Sequence, residues 1–196
     1  MKKALFLLLD EFADWEASYL SSTLNQHENW SISTISTEER VRSIGGFSVL
    51  VDYTIGNEPQ SYDLLVMVGG NSWDDSSKEL LTFVKNTFNE NIIIGAICGA
   101  VDYLARYGFL NDYKHTGNSV YEWHNYENYQ PKYEFIEKQC VRDKSLITAN
   151  GTAALEFTEL TLKAIEFDTD ESIEKIIYMN KYGFYSYCEK YGSPFV

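Results

Sequence analysis

The chain has 196 residues, and its 16 basic and 29 acidic side chains give a formal net charge of −13. This charge argues against nucleic acid as a partner, because proteins neutralise phosphates with Lys and Arg, and equally against an anionic membrane surface. The length predicts a single domain over residues 1–196 that buries a large core. Three widely spaced cysteines do not form a disulfide framework and indicate a reduced, cytoplasmic protein.

The first apolar run, Ala4 to Leu9, predicts a buried strand rather than a signal peptide. It is shorter than the roughly 7–15 apolar residues of a secretory segment. It ends in Asp10-Glu11, without a small-residue cleavage site. The chain also lacks a run of the roughly 18 apolar residues that a membrane-spanning helix needs.

Strands and helices are predicted to alternate along the chain. All-apolar or alternating runs predict strands at 3–9, 30–35, 64–68, 92–97, 133–141 and 146–149, with a hairpin at 41–51. Apolar residues at helical spacing predict helices at 14–25, 78–88, 100–107, 152–167 and 171–187, whereas 111–131 is polar and predicted to be mostly loop. This alternation predicts an α/β sandwich, with a mainly parallel sheet between helical layers.

Functional sites in open parallel sheets lie at the carboxyl ends of the strands. In this chain that rule selects residues 10–16, Gly69-Gly70 and Cys98-Gly99. We therefore expect the candidate functional residues in these three segments.

Cys98 follows the strongest strand signal of the chain and precedes a short helix, with small residues at 96, 99 and 100. This pattern resembles a nucleophile elbow, which exposes a reactive side chain on a strained turn above the sheet. Because a helix N-terminus favours an anion, the sequence predicts a lowered pKa for this thiol. The alternative is that Cys98 is a small buried apolar residue, the commonest role of a lone cysteine.

Glu16 and the Gly69-Gly70 pair are candidates to assist the thiol. Glu16 lies in the first turns of the helix after the first strand, from which a buried carboxyl group with a raised pKa would reach the sulfur. The alternative is a solvated acid at the helix N-terminus, and Asp10, Glu11 and Asp14 are rivals for the same position. The paired glycines either leave N–H groups uncovered to hold an oxyanion or form a plain turn.

Two histidines, His115 and His124, are candidates to orient the thiol or to accept its proton. For each of them, a packed or solvated histidine is the simpler alternative. The cysteines and histidines show no paired spacing for a metal, and no glycine-rich phosphate loop is present. We therefore expect no metal and no cofactor, and a small molecule as the substrate.

The strand ends carry a set of motifs that resembles the DJ-1/PfpI family, within the class I glutamine amidotransferase-like superfamily. The set begins with an acid in the helix after the first strand and continues with Val66–Gly70, Ile94–Ala100, Leu146–Ala153 and Glu156-Phe157. The resemblance covers roughly residues 2–167. It implies a flavodoxin-like three-layer sandwich with helices on both faces, often dimeric, and a C-terminal helical extension at about 170–190.

The resemblance also implies roles for the candidate residues. Cys98 would be the elbow cysteine and Glu16 the acid that hydrogen-bonds it, while Gly70 and Gly99 would supply N–H groups to an oxyanion site. Family proteases carry a histidine where this chain has Gly99, other members carry one at the position that matches Asn118, and no late His-x-Glu pair is present. An asparagine at position 118 can orient a substrate or hydrogen-bond a thiolate, but it cannot accept a proton at neutral pH.

These residues support three hypotheses about function. The first is a cysteine-dependent hydrolase or lyase, in which Cys98 attacks a small carbonyl or amide electrophile. The alternative is a non-enzymatic redox-sensing or oxidative-stress protein that uses the same cysteine, and the third is a binding protein on an inherited scaffold. Family members include proteases, deglycases, glyoxalases, chaperones and stress proteins, and fold membership does not choose among them.

Overall fold

The computed structural model of the chain describes residues 1–74, 76–90 and 92–195. Its strands are β1 (Lys2–Leu7), β2 (Trp30–Ser36), β3 (Arg40–Arg42), β4 (Ser48–Leu50), β5 (Tyr53–Thr54), β6 (Leu64–Met67), β7 (Ile93–Ile97), β8 (Cys140–Asp143) and β9 (Leu146–Ala149). Its helices are α1 (Asp14–Asn25), α2 (Lys78–Asn89), α3 (Gly99–Arg106), α4 (Ala154–Ala164), α5 (Asp170–Tyr182) and α6 (Phe184–Tyr191). Within these described ranges, no helix has the length and apolar character to cross a membrane.

Most of the strands form one seven-stranded sheet in the order β5-β2-β1-β6-β7-β9-β8. Its neighbouring strands are parallel, apart from the antiparallel pair β8 and β9. The strands β3 and β4 form a separate antiparallel hairpin at the place where the sequence predicts one. The prediction of a mainly parallel, flavodoxin-like sheet is confirmed.

Alternate residues of β1 supply the two faces of the sheet, which explains why this strand is apolar throughout. Phe6 packs in one core cluster, and Leu5 and Leu7 pack in the other. The first cluster contains side chains from three helices: Leu20 and Leu24 of α1, Phe157 and Leu162 of α4, and Ile173 of α5. The second contains Leu80 and Val84 of α2 and Val101 and Leu104 of α3. Helices therefore cover both faces, and the predicted three-layer sandwich is confirmed.

The strand predicted at 133–141 is wrong over most of its length, since β8 begins only at Cys140. The residues before it bond to the segment around position 115 instead of to a sheet neighbour. The Ile136 N–H donates to the His115 carbonyl at 3.0 Å, and the Thr116 hydroxyl donates to the Lys138 carbonyl at 2.7 Å. These contacts hold the segment against the loop around position 115, and it does not extend β8.

The helix predicted at 171–187 is wrong as a single helix, because α5 and α6 are separated by Gly183. The φ of Gly183 is 88°, in the left-handed region that glycine adopts readily and that ends a helix. The helix α6 contains no buried residue and contacts α5. The C-terminal aromatic residues therefore lie on the surface of the sandwich rather than in its core.

Candidate active site

The carboxyl ends of four adjacent parallel strands, β1, β6, β7 and β9, meet at one edge of the sheet. Each strand is followed there by a residue that contributes to one site: Glu16 after β1, Gly69 after β6, Cys98 after β7 and Gly151 after β9. A side-chain carbon built on Gly69 or on Gly151 would contact both Cys98 and Glu16. Residues from the three segments that the strand-end rule selects therefore lie side by side, together with Gly151.

Cys98 occupies the abrupt turn between β7 and α3, with backbone angles φ 58° and ψ −128°. A residue with a side chain adopts such angles only at a cost of about 1–3 kcal/mol. The turn is held in place because the Cys98 N–H donates to the Ala149 carbonyl of β9 at 2.9 Å. The local geometry is that of the strained elbow predicted from the sequence.

The Glu16 carboxyl group is fully buried next to the sulfur. The polar groups that face it are the Cys98 thiol and the Gly69 N–H, although neither is positioned for a strict hydrogen bond. Burial raises the pKa of Glu16 to about 7, while the two facing groups act in the opposite direction. This carboxyl group therefore exchanges its proton near neutral pH.

Two of the rival acids, Asp10 and Asp14, bond to the β3–β4 hairpin instead of facing the sulfur, and the third, Glu11, is exposed. Asp10 Oδ1 accepts a hydrogen bond from the Arg42 N–H at 2.8 Å, and Asp14 Oδ2 accepts one from the Gly45 N–H at 2.7 Å. The hairpin donors thus explain why Glu16, and not these aspartates, is the acid that faces Cys98.

Asn118 donates a hydrogen bond from Nδ2 to the Cys98 sulfur at 3.2 Å. Its Oδ1 accepts the Gly151 N–H at 2.9 Å, which determines which end of the amide faces the sulfur. The Gly151 carbonyl in turn accepts the indole N–H of Trp15 at 3.1 Å. The side chain predicted to orient the site therefore acts here as a donor to sulfur.

The pKa of Cys98 is raised above the ordinary value of a thiol, so the predicted lowering is wrong. Burial is the main cause, and the negative charge and hydrogen bonding of Glu16 act in the same direction. The Asn118 amide and the Gly99 N–H lower the pKa, but they do not outweigh burial. The Gly99 N–H at the helix N-terminus faces the thiol as predicted, whereas the burial of the thiol could not be predicted from the sequence.

Gly69 and Gly70 bring β6 close to the other strand ends. A Cβ at position 69 would lie 2.5 Å from the Cys98 Cβ and 2.7 Å from the Ile97 carbonyl oxygen. Gly70 has a φ of 150° and pairs with Phe12 in an isolated bridge. The hydrogen bonds of this bridge are made by the flanking residues, so the Gly70 N–H is not used in it. The oxyanion roles of Gly70 and Gly99 stay predictions.

The two histidines are placed differently from each other. His115 is fully buried, and its ring nitrogens contact the Tyr113 carbonyl and the Tyr129 hydroxyl, both at 2.7 Å. Burial lowers the pKa of His115, so the ring is neutral at pH 7. His124 is exposed on a short helical turn. No hydrogen bond joins either ring to Cys98 in the part of the chain that the structure describes.

Trp15 and Gly151 are site residues that the sequence analysis did not select. The strand-end rule applied to β9 selects Gly151 as well, whereas nothing in the sequence indicates the direction of the Trp15 side chain. The described residues contain no cluster of His, Cys, Asp and Glu that would hold a metal ion.

The fold and the elbow together define a flavodoxin-like α/β protein with a cysteine at the strand-to-helix turn of its central sheet. The model of the DJ-1/PfpI family matches residues 2–164, and the chain belongs to that family. The family predicted from the motifs is thereby confirmed.

Relatives and solved structures agree with this assignment. A Bacillus subtilis protein named "Uncharacterized protease YdeA" is 61% identical over 100% of both chains. The crystal structure of a ThiJ/PfpI family protein from Bacillus anthracis has 27% identity and a TM-score of 0.88, covering 95% of this chain and 93% of that one. The DJ-1 superfamily protein Atu0886 from Agrobacterium tumefaciens has 27% identity and a TM-score of 0.83, covering 92% of this chain and 99% of that one.

Proposed function

We propose that this protein is a cysteine-dependent enzyme in which Cys98 adds to the carbonyl group of a small aldehyde or ketone. The observation that carries the proposal is the environment of the Cys98 sulfur. It accepts a hydrogen bond from Asn118 and faces the buried carboxyl group of Glu16. A nucleophile, a proton carrier and amide donors are the groups that carbonyl addition requires.

The chemical step balances with these groups alone. The Cys98 thiol passes its proton to the Glu16 carboxylate as the sulfur forms a bond to the carbonyl carbon, and the π electrons of the carbonyl move to its oxygen. The proton of the Glu16 carboxyl group then passes to that oxygen and gives a hemithioacetal. With a pKa of about 7, Glu16 releases and recovers a proton readily at neutral pH. The N–H groups of Gly70 and Gly99 are the proposed donors to the oxygen while it is charged.

Carbonyl addition suits this site better than amide cleavage does. Cleavage of an amide requires a proton for the leaving amine and then an activated water for the acyl-enzyme. Glu16 is the acid that faces the sulfur, and the ring nitrogens of His115 are bound elsewhere. We therefore propose a carbonyl substrate, even though the Bacillus subtilis relative has the word protease in its name.

The test compares a small α-oxoaldehyde with a fluorogenic peptide amide. We expect the purified protein to consume the aldehyde, and the Cys98→Ala variant to lose this activity while keeping its circular dichroism spectrum. Cys188→Ala, which changes a thiol on α6, is the control and should retain activity. Aldehyde consumption that survives in Cys98→Ala would contradict the proposal, and cleavage of the peptide alone would replace it with a peptidase.

A redox-sensing role is the second candidate, and the donors around the sulfur favour it. Asn118, the Gly99 N–H and a protonated Glu16 can each hydrogen-bond an oxygen on Cys98. Peroxide would oxidise the thiolate to a sulfenic acid, and a second peroxide would give the sulfinate, with peroxide reduced to water at each step. Intact-mass analysis after mild peroxide treatment should show oxygen added at Cys98; oxidation confined to Cys140 or Cys188 would contradict this role.

A homodimer formed through the β3–β4 hairpin is also proposed. Ile44, Phe47 and Leu50 are 43%, 70% and 69% exposed, and the segment from Ser43 to Val51 contains no charged residue. Two copies that each carry a charge of −13 approach most easily through an uncharged apolar surface. Light scattering should give a dimer mass for the wild type and a monomer for Phe47→Asp. A monomeric wild type would refute the proposal.

A further inference from the structure

Three hydrogen bonds in series connect the surface residue Trp15 to the Cys98 sulfur. The Trp15 indole N–H donates to the Gly151 carbonyl at 3.1 Å, the Gly151 N–H donates to Asn118 Oδ1 at 2.9 Å, and Asn118 Nδ2 donates to the sulfur at 3.2 Å. We call this series the indole–amide chain.

The amide of Asn118 can face the sulfur with either of two ends, and they have opposite effects. Nδ2 donates to a thiolate and stabilises it, whereas Oδ1 would place a partial negative charge against it. The Gly151 N–H binds Oδ1 and so selects the stabilising orientation. The position of the Gly151 N–H therefore determines how well Asn118 stabilises the Cys98 thiolate.

Position 151 has no room for a side chain. A Cβ at this position would lie 2.8 Å from the Cys98 sulfur and 2.9 Å from Glu16 Oε1. With no side chain to hold it, the peptide depends on its hydrogen bonds for orientation. Trp15 provides the bond on its carbonyl side.

Trp15 is unusual among the large aromatic residues near the site, because its ring is not part of the core. It is 50% exposed, yet its N–H bonds to a backbone carbonyl rather than to solvent. In α1 it directly precedes Glu16, so the helix that brings the acid to the sulfur also brings the indole to Gly151.

We propose that Trp15 is a positioning residue for Cys98. Trp15 acts on the thiol through the Gly151 backbone and the Asn118 amide. The inference rests on the proposed function only in taking Cys98 as the reacting atom. The Gly151 N–H and carbonyl belong to neighbouring peptide groups joined at Cα, so the coupling is positional: the bond from Trp15 fixes the orientation of the Gly151 backbone, and with it the N–H that binds Asn118.

The test is a double-mutant cycle on the rate at which iodoacetamide alkylates Cys98. The rate is measured by peptide mass analysis between about pH 6 and about pH 10. Asn118→Ala removes a hydrogen bond to a thiolate and should slow alkylation at neutral pH about tenfold or more. Trp15→Phe keeps the ring but removes the N–H, and should slow alkylation about threefold with the same direction of shift in the pH profile. In the Asn118→Ala background, Trp15→Phe should have no further effect.

The matched control is Tyr19→Phe, which changes an aromatic residue one turn further along α1 and should leave the alkylation rate unchanged. An equal effect of Trp15→Phe in both backgrounds, or no effect in either, would overturn the proposal. Should Trp15→Phe lower the thermal stability, the sign of the rate change separates the two causes, because partial opening of the fold would expose the thiol and speed alkylation, whereas loss of the positioning bond slows it. Alkylation needs no substrate, so this result is separate from the aldehyde test.

Discussion

Cys98 and Cys140 are both half-buried free thiols that lie next to the same residue, Ala149, yet their surroundings differ. Cys98 donates its N–H to the Ala149 carbonyl from a left-handed turn beyond the end of β7. Cys140 pairs with Ala149 inside the antiparallel ladder of β8 and β9.

The difference between the two thiols lies in the polar groups that face them. Cys98 faces the Asn118 amide, the Gly99 N–H and a carboxyl group that carries a proton near neutral pH. Burial raises the pKa of Cys140 to about 12, and the charge of Glu156 adds to this effect. Burial raises the pKa of both thiols, so burial does not distinguish them; the donors and the strained turn are what set Cys98 apart as the proposed nucleophile.

The largest difference is expected in catalysis. Cys98→Ala should reduce turnover of a small aldehyde by about three orders of magnitude or more, as expected for loss of a nucleophile. Cys140→Ala should leave turnover within about twofold, since a residue in a ladder contributes packing rather than chemistry. Steady-state kinetics on both variants checks this, and equal losses would erase the distinction.

The raised pKa of Cys140 should slow its alkylation by a smaller factor. At pH 9, the ordinary pKa of a thiol, a group with a pKa of about 12 is ionised in about one molecule in a thousand. Cys140 in the Cys98→Ala variant should therefore react with iodoacetamide several hundredfold more slowly than a simple thiol does. A rate equal to that of glutathione would show that Cys140 is accessible and ordinary.

The close packing at the site can be tested through stability. Gly69→Ala places a methyl group 2.5 Å from the Cys98 Cβ and 2.7 Å from a backbone oxygen, and should cost about 3 kcal/mol of unfolding free energy. Gly56→Ala is the control, because nothing lies within 4 Å of its Cβ and only the strain of its positive φ remains, about 1 kcal/mol. Urea denaturation measures both, and similar losses would mean that the strand ends are less tightly packed.

The most specific effect concerns the Glu16 proton. Its pKa is raised from 4.5 to about 7, so the folded protein binds a proton that the unfolded chain has released over this range. The resulting stability is fully present below pH 4.5 and is lost as the pH rises through 7, by up to about 3 kcal/mol. Glu16→Gln should remove this slope from the unfolding free energy. A slope identical to that of the wild type would assign the titration to another group.

The position of the site could be predicted from the sequence because a parallel sheet restricts where strand ends lie. An apolar run followed by a turn identified β1, β6 and β7, and their carboxyl ends had to meet at one edge. The same reasoning found Cys98, Glu16 and the glycine pair. The strand-end rule alone did not separate Glu16 from Asp10 and Asp14, because the difference depends on backbone donors in the β3–β4 hairpin, and the family resemblance was needed to select Glu16.

Other features depend on depth and on loop paths that periodicity does not describe. The direction of the Cys98 pKa follows from its burial and from Glu16, not from the helix N-terminus alone. His115 follows a helix and a glycine in the sequence, but the loop carries it into an aromatic cluster with Trp123 and Tyr129. Asn118, three residues later, is carried to the sulfur instead.

The left-handed backbone at position 98 lowers the stability of the fold. Glycine would adopt φ 58° and ψ −128° without the steric penalty of a side chain, so a chain optimised only to resist heat would have glycine there. The cysteine instead keeps the turn strained, so the fold gives up some stability at the position of the proposed nucleophile.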